Sequence, residues 1–216
     1  MSTLLAIDFD GTFAIQDTID WISIHYAPKV FAAADAAFSR GEITLDECLT
    51  QQMAPITATE REIIDFLLDT VTLRAGIPEL LAFCKVNDVE PMIVSSGFDN
   101  LIEPFLQAQG ITLPVIAHTA LFTAEGIRIS FRGRVICPQC DVACKRDEVR
   151  GLAGGRRIAY VGDGPSDLCA AESADIRFAR HTLAEHLLRE GYDFMPFEDF
   201  HDVRAGLAAA LAVSAI

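Results

Sequence analysis

The first strand and the turn behind it constrain this chain more than any other stretch. Leu4-Leu5-Ala6-Ile7 is an apolar run, and Asp8-Phe9-Asp10-Gly11-Thr12 follows it directly. Such a run reads as a buried strand, and Gly11 lets the backbone break sharply where the strand ends. Two carboxylates then stand at the strand's carboxyl end, the place where open α/β sheets hold their ligands. Along an extended chain the two would point to the same side. Like charges that close repel unless a cation lies between them or one is protonated. Either outcome is usable chemistry: a metal site, or a nucleophile beside a general acid. An Asp-Gly-Thr turn is also common as plain structure, so the reading depends on matching parts elsewhere in the chain.

Those parts come in order. Residues 14–75 read as helical throughout, with Ile19, Ile22, Tyr26 and Val30, then Ile63, Phe66, Leu67 and Val71, at helical spacing. Thr44 and Thr59 each precede a Glu by three residues, the capping-box pattern. Trp21, Tyr26 and Phe31 read as the core of this helical segment. Pro78 then opens a helix, and Met92-Ile93-Val94 leads a second strand into Ser95-Ser96. Val115 to Phe131 reads as strand and hairpin, and Lys145 begins a helix. Ile158-Ala159-Tyr160-Val161 is a third strong strand, ending in Gly162-Asp163-Gly164-Pro165-Ser166-Asp167. A short strand at Ile176 to Ala179, a helix from Leu183 and a closing helix from Asp199 complete the chain. Strands alternating with helices predict an α/β fold: a Rossmann-like parallel sheet covered by helices on both faces. The expected domains are a core of residues 1–13 and 76–216, and an all-helical insertion of residues 14–75 after the first strand.

Composition narrows the class of partner. The 216 residues carry 17 basic against 31 acidic side chains, a formal charge of −14. So acidic a chain repels nucleic acid and anionic membranes, and neither is expected as a partner. Half of the residues are hydrophobic, enough for a packed core. Met1-Ser2-Thr3 starts no signal peptide, the apolar tail from Ala205 is too short to span a bilayer, and a cytoplasmic monomer or homodimer is expected.

In a parallel sheet the strand ends carrying Asp8 and Asp10, Ser95 and Ser96, and Asp163 and Asp167 share one edge, and Lys145 is close enough in sequence to reach it. These four motifs, in this order, resemble those of the haloacid dehalogenase superfamily, and the helical insertion resembles the cap of its phosphoserine-phosphatase branch. The resemblance implies a phosphomonoesterase that forms an aspartyl-phosphate. Asp8 would attack phosphorus, and Asp10 would protonate the leaving alcohol and then activate water. Mg²⁺ would be held by Asp8, Asp163, the Asp10 backbone carbonyl and, through its waters, Asp167. Asp167 could instead hold Lys145. Ser95, with the Ser96 amide, would bind phosphoryl oxygens, and Lys145 would neutralise the charge growing on them. Lys145→Met would then leave a well-folded protein of low activity. The chemistry suits the residues, because a carboxylate cannot approach a phosphate anion unless positive charge is supplied, and Mg²⁺ takes one or two carboxylates plus waters and phosphate oxygens. Within the superfamily, Asp10 argues against the metal-free dehalogenases. Phosphonatases rely on a cap amine, for which only Lys29 is present; a phosphomutase stays open. A binding-only descendant would be expected to lose the nucleophile or a metal carboxylate, and both are here.

The substrate side is expected in the insertion. In the resembling phosphoserine phosphatases, an acidic residue soon after the first motif receives the substrate ammonium and a cap arginine grips its carboxylate. Asp17 matches the first; the second falls at or beside Gln52, a neutral amide unsuited to a bidentate pair with a carboxylate. Asp17 and Gln52 suit the hydroxyl and keto oxygens of a small monophosphate. Cys137-x-x-Cys140-x-x-x-Cys144 before Lys145, Phe178-Ala179-Arg180 and Pro196-Phe197-Glu198-Asp199-Phe200 resemble the methionine-salvage branch, which acts on 2-hydroxy-3-keto-5-methylthiopentenyl-1-phosphate. The three cysteines have zinc-ligand spacing but no evident fourth ligand, which favours reduced loop thiols dispensable for the chemistry.

Overall fold

The structure, a computed structural model, describes residues 2–133, 137 and 144–213. Among them run seven strands: β1 (Thr3–Ile7), β2 (Val89–Phe98), β3 (Val115–Thr123), β4 (Gly126–Ser130), β5 (Arg157–Gly162), β6 (Ile176–Ala179) and β7 (Met195–Pro196). The helices are α1 (Thr18–Tyr26), α2 (Pro28–Ser39), α3 (Leu45–Met53), α4 (Glu60–Thr70), α5 (Ile77–Val86), α6 (Asp99–Ala108), α7 (Lys145–Ala153), α8 (Leu168–Glu172), α9 (His181–Glu190) and α10 (Phe200–Val213). The strands form one mostly parallel sheet, in the order β4-β3-β2-β1-β5-β6-β7, with helices on both sides, as the alternation of elements predicts. Only β7 escapes the sequence pattern, since two residues are too few to show a period.

The chain groups into two compact units. The first comprises Met1–Ile15, Leu73–Ser95 and Gly133–Ile216. Its centre is β1, whose apolar residues Leu4, Leu5, Ala6 and Ile7 are all buried because parallel strands cover both its edges. Ile7 lies level with Ile93 of β2 and with Val161 of β5, so Asp8, Ser95 and Asp163 line one edge, although β2 runs through Ser95 and Ser96 to Phe98 instead of ending at them as the sequence suggests. Beyond Asp8 the chain turns instead of continuing as strand. Phe13 and Ala14 donate backbone hydrogen bonds to the carbonyls of Asp8 and Phe9, at 3.2 and 2.9 Å, and Gly11 takes φ +74°. Asp10 is therefore placed by a turn and not by strand alternation, which corrects the expectation that the pleat aligns it with Asp8. Phe9 and Phe13 anchor the turn from below: both are buried, and Phe13 meets Phe200 with ring centroids 5.4 Å apart.

The second unit comprises Gln16–Thr72 and Ser96–Arg132. Of its helices, α1, α3 and α4 start as their sequences require. Asp17 caps α1 by accepting from the Asp20 amide at 2.9 Å, and Thr44 with Glu47 and Thr59 with Glu62 complete capping boxes on α3 and α4. The β3–β4 hairpin closes at Gly126, whose φ of +139° and lack of a Cβ let the Ala54 carbonyl lie against it. Trp21, Tyr26 and Phe31 are not core: Trp21 is 39% exposed and the other two are half-buried. No helix among the described residues is long and apolar enough to cross a membrane.

Candidate active site

The carboxyl edge of the first unit brings together Asp8, Asp10, Ser95, Lys145, Asp163 and Asp167. Each arrives for a local reason. Asp8 extends β1 by one residue and donates its amide to the Val161 carbonyl at 2.9 Å. Lys145 is the first residue of α7, and Asp167 ends the single 3-10 turn Pro165–Asp167, which Pro165 starts with its fixed φ.

Lys145 is buried between two carboxylates. Its ammonium donates to Asp8 Oδ1 and, at 2.8 Å, to Asp167 Oδ1. Burial alone would lower its pKa; the charges of Asp167 and Asp8 outweigh burial and raise it, so the ammonium is firmly held. Asp8 is pushed well above the usual carboxylate range by burial and then by Asp167, with Lys145 opposing. Burial also raises Asp163, against a 2.7 Å hydrogen bond that its Oδ1 accepts from the Thr12 hydroxyl.

Asp167 has no exposed surface, and both of its oxygens are taken. Oδ1 accepts from Lys145 and from the Tyr160 hydroxyl at 2.7 Å, and Oδ2 from the amides of Asp163 and Gly164 at 3.0 Å each. Of its two expected roles the geometry favours the second, the positioning of Lys145. Ser95 donates to Asp10 Oδ2 at 3.1 Å and so reaches the turn. Ser96, Asp17 and Gln52 fall in the second unit. There Ser96 continues β2, Asp17 is the cap of α1, and Gln52 is 3% exposed within α3. Cys140 lies outside the described residues.

A hard divalent cation fits this edge. One carboxylate oxygen each from Asp8, Asp163 and Asp167 lies within 4.8 Å of the others, and magnesium prefers such oxygens together with retained waters. With Asp167 engaged, Asp8 and Asp163 are the two that would hold it. The space is shaped by a missing side chain: a Cβ on Gly11 would stand 2.6 Å from Asp163 Oδ2. Gly11→Ala should therefore cost stability, about 1–2 kcal/mol from the left-handed backbone alone, and should displace Asp163. A Mg²⁺ titration of activity should show weaker apparent affinity; an unchanged titration would mean that Asp163 does not hold the ion.

Three contributors escaped the sequence reading. Tyr160 reads as core within an apolar strand, and it is core, yet its hydroxyl serves Asp167. Arg74 donates from Nη2 to the Gly11 carbonyl at 2.6 Å and from Nε to the Thr12 carbonyl at 2.8 Å, fixing the turn from 62 residues away. Thr12 belongs to the first motif, but its bond to Asp163 depends on β1 and β5 being neighbours, which no local pattern displays.

The haloacid dehalogenase-like hydrolase family matches residues 5–172, which include every residue of this edge. The chain belongs to the haloacid dehalogenase-like hydrolases. Within that family it is an enzyme of the phosphatase kind. It is 31% identical to a protein of Bacillus cereus (strain B4264) named 2-hydroxy-3-keto-5-methylthiopentenyl-1-phosphate phosphatase, over 100% of both chains. A protein of Bacillus anthracis with the same name is 31% identical over 99% of both. Among solved structures, a probable phosphoserine phosphatase from Vibrio cholerae superposes with a TM-score of 0.76 at 22% identity, covering 99% of this chain and 66% of that one. A phospho-aspartyl intermediate analogue of phosphoserine phosphatase gives 0.71 at 17% identity, covering 94% and 97%. Likeness at that level of identity speaks for the fold of this haloacid dehalogenase-like hydrolase and not for its substrate.

Proposed function

We propose that this enzyme is a Mg²⁺-dependent phosphomonoesterase that works through an aspartyl-phosphate on Asp8, with residues 14–75 as its cap. The observation that carries the reading is the buried Lys145 bridging Asp8 and Asp167 beside Asp163. Asp8 and Asp163 would hold the ion, which when bound supplies positive charge to the phosphoryl oxygens. Asp8 attacks phosphorus, and the P–O bond to the leaving alcohol breaks. Lys145, fixed by Asp167, neutralises charge on the transferring group. Asp10, held by the Ser95 hydroxyl, gives its proton to the leaving alcohol, then takes one from the water that opens the aspartyl-phosphate. Ser95 and the Ser96 amide bind phosphoryl oxygens.

The substrate is a small keto-enol monophosphate such as 2-hydroxy-3-keto-5-methylthiopentenyl-1-phosphate. The full-length relatives at 31% identity support this, as does Gln52, a neutral amide where an arginine would grip a carboxylate. Phosphoserine is the competing substrate. The test is kcat/KM for keto-enol or ketone monophosphates against phosphoserine, with and without Mg²⁺. The expected result is activity only with the ion and a preference for the ketone class; a clear preference for phosphoserine would overturn the substrate assignment.

A further inference from the structure

A second group of metal-binding atoms lies in the first unit, and its chemistry is the opposite of the carboxylate edge. The thiols of Cys137, Cys144 and Cys169 converge, with their three sulfur atoms within 4.8 Å of one another. Sequence spacing pairs Cys137 with Cys140 and Cys144, whereas the fold adds Cys169, 25 residues beyond Cys144. Cys169 comes from α8 because α7 and α8 pack together. We propose that Cys137, Cys144 and Cys169 hold a structural Zn²⁺ that ties the start of α7 to α8.

Three physical points carry this. Zinc bound by thiolates at about 2.3 Å in a tetrahedron needs sulfurs about 3.8 Å apart, which falls inside the 4.8 Å within which the three lie. A disulfide can use only two of three convergent thiols, while a thiophilic cation uses all three, and soft sulfur ligands select zinc over magnesium. The surroundings also suit an anionic cluster. Three thiolates on Zn²⁺ leave one negative charge, and Arg146 Nη1 donates to Cys137 Sγ at 3.6 Å. Cys144 is the residue before α7, at the helix's amino end, where the helix favours a thiolate. Cys144 is also partly exposed.

The position gives the ion its use. Cys144 directly precedes Lys145, and Cys169 lies two residues past Asp167, so one zinc would clamp the backbone on both sides of the Lys145–Asp167 pair. It is a positioning device and touches no reacting atom.

The test uses the full chain, reduced and freed of metal with a thiophilic chelator, then titrated with Zn²⁺ in the presence of excess Mg²⁺. About one zinc should bind per chain, and melting should move to higher temperature. Cys169→Ser should lose the bound zinc, and Cys84→Ser, at a buried thiol in α5, should keep it. Should Cys169→Ser fail to fold, alkylation of the parent protein decides: Zn²⁺ should slow modification of Cys137, Cys144 and Cys169, read peptide by peptide, and leave Cys48 unchanged. No zinc uptake by the reduced protein, a full equivalent retained by folded Cys169→Ser, or equal alkylation of Cys169 with and without zinc would each overturn the proposal. So would a disulfide among the three whose reduction restores no zinc binding.

Discussion

Asp8→Asn should fold normally and lose phosphatase activity by on the order of 10⁴-fold or more, the scale seen when a nucleophile is removed. The amide keeps the shape of the carboxylate, and its Oδ1 can still accept from Lys145, but it cannot attack phosphorus. Stability should move the other way. Burial and the charge of Asp167 raise the Asp8 pKa in the folded protein, so the folded state holds this proton more tightly than the unfolded chain does. The contribution of such a group is favourable at low pH and is lost as pH rises from the unfolded value towards the folded one. At neutral pH the burial of Asp8 in the metal-free enzyme therefore works against folding, and the amide removes that cost. In chelator, Asp8→Asn should melt at or above the parent temperature at neutral pH, with the gap shrinking as the pH falls towards the ordinary carboxylate range. Activity within tenfold of the parent would remove Asp8 from the role of nucleophile.

Lys145→Met should damage both activity and fold. Sequence reading expects a charge effect alone, since Met keeps the stem and a lysine at a helix start is normally exposed. The structure changes that expectation, because Lys145 is only 5% exposed and sits between Asp8 and Asp167. Without the ammonium, two buried carboxylates face each other with their charge uncompensated. Breaking a buried pair of this kind typically costs about 3–5 kcal/mol. Activity should fall by on the order of 10³-fold, as when a charge-stabilising donor is removed from a transition state. Denaturant unfolding and steady-state kinetics check the two effects separately. A variant as stable as its parent would mean that the pair is not formed in solution, and near-normal turnover would mean that another cation serves the phosphoryl group.

The difference between these two residues shows which parts of the site were readable. Asp8, Asp163 and Asp167 announce themselves because each follows an apolar strand and stands beside a glycine or within one turn of it. Their meeting follows from parallel strands alone. Lys145 is readable as a helix start but not as a buried residue, since its burial depends on Asp8 and Asp167 closing over it from 137 and 22 residues away. Tyr160 was hidden by its own strand, where a hydroxyl among Ile158, Ala159 and Val161 leaves the apolar pattern intact. Cys169 was hidden by distance, and counting spacings around Cys137 could not reach it. Trp21 misled in the other direction: an aromatic at helical spacing suggests core, but on α1 it faces outward. Asp10 was placed at the right edge for the wrong reason, because the turn from Phe9 to Phe13 takes the chain out of the strand before Asp10 is reached.

The central place of β1 also bears on how the protein is made. Its Thr3 pairs with Val89 on one side and with Arg157 on the other. A ribosome adding about 5–20 residues each second completes β1 roughly eight to thirty seconds before β5 exists to flank it. Throughout that interval the nascent chain carries an apolar segment with an open hydrogen-bonding edge, the kind of surface that invites pairing with other chains. Contacts so far apart in sequence also make for slow folding. The edge that gathers these carboxylates is therefore incomplete until Asp167 has been made, and a chain arrested before Arg157 would bear Asp8 with neither Asp163 nor Asp167 to surround it.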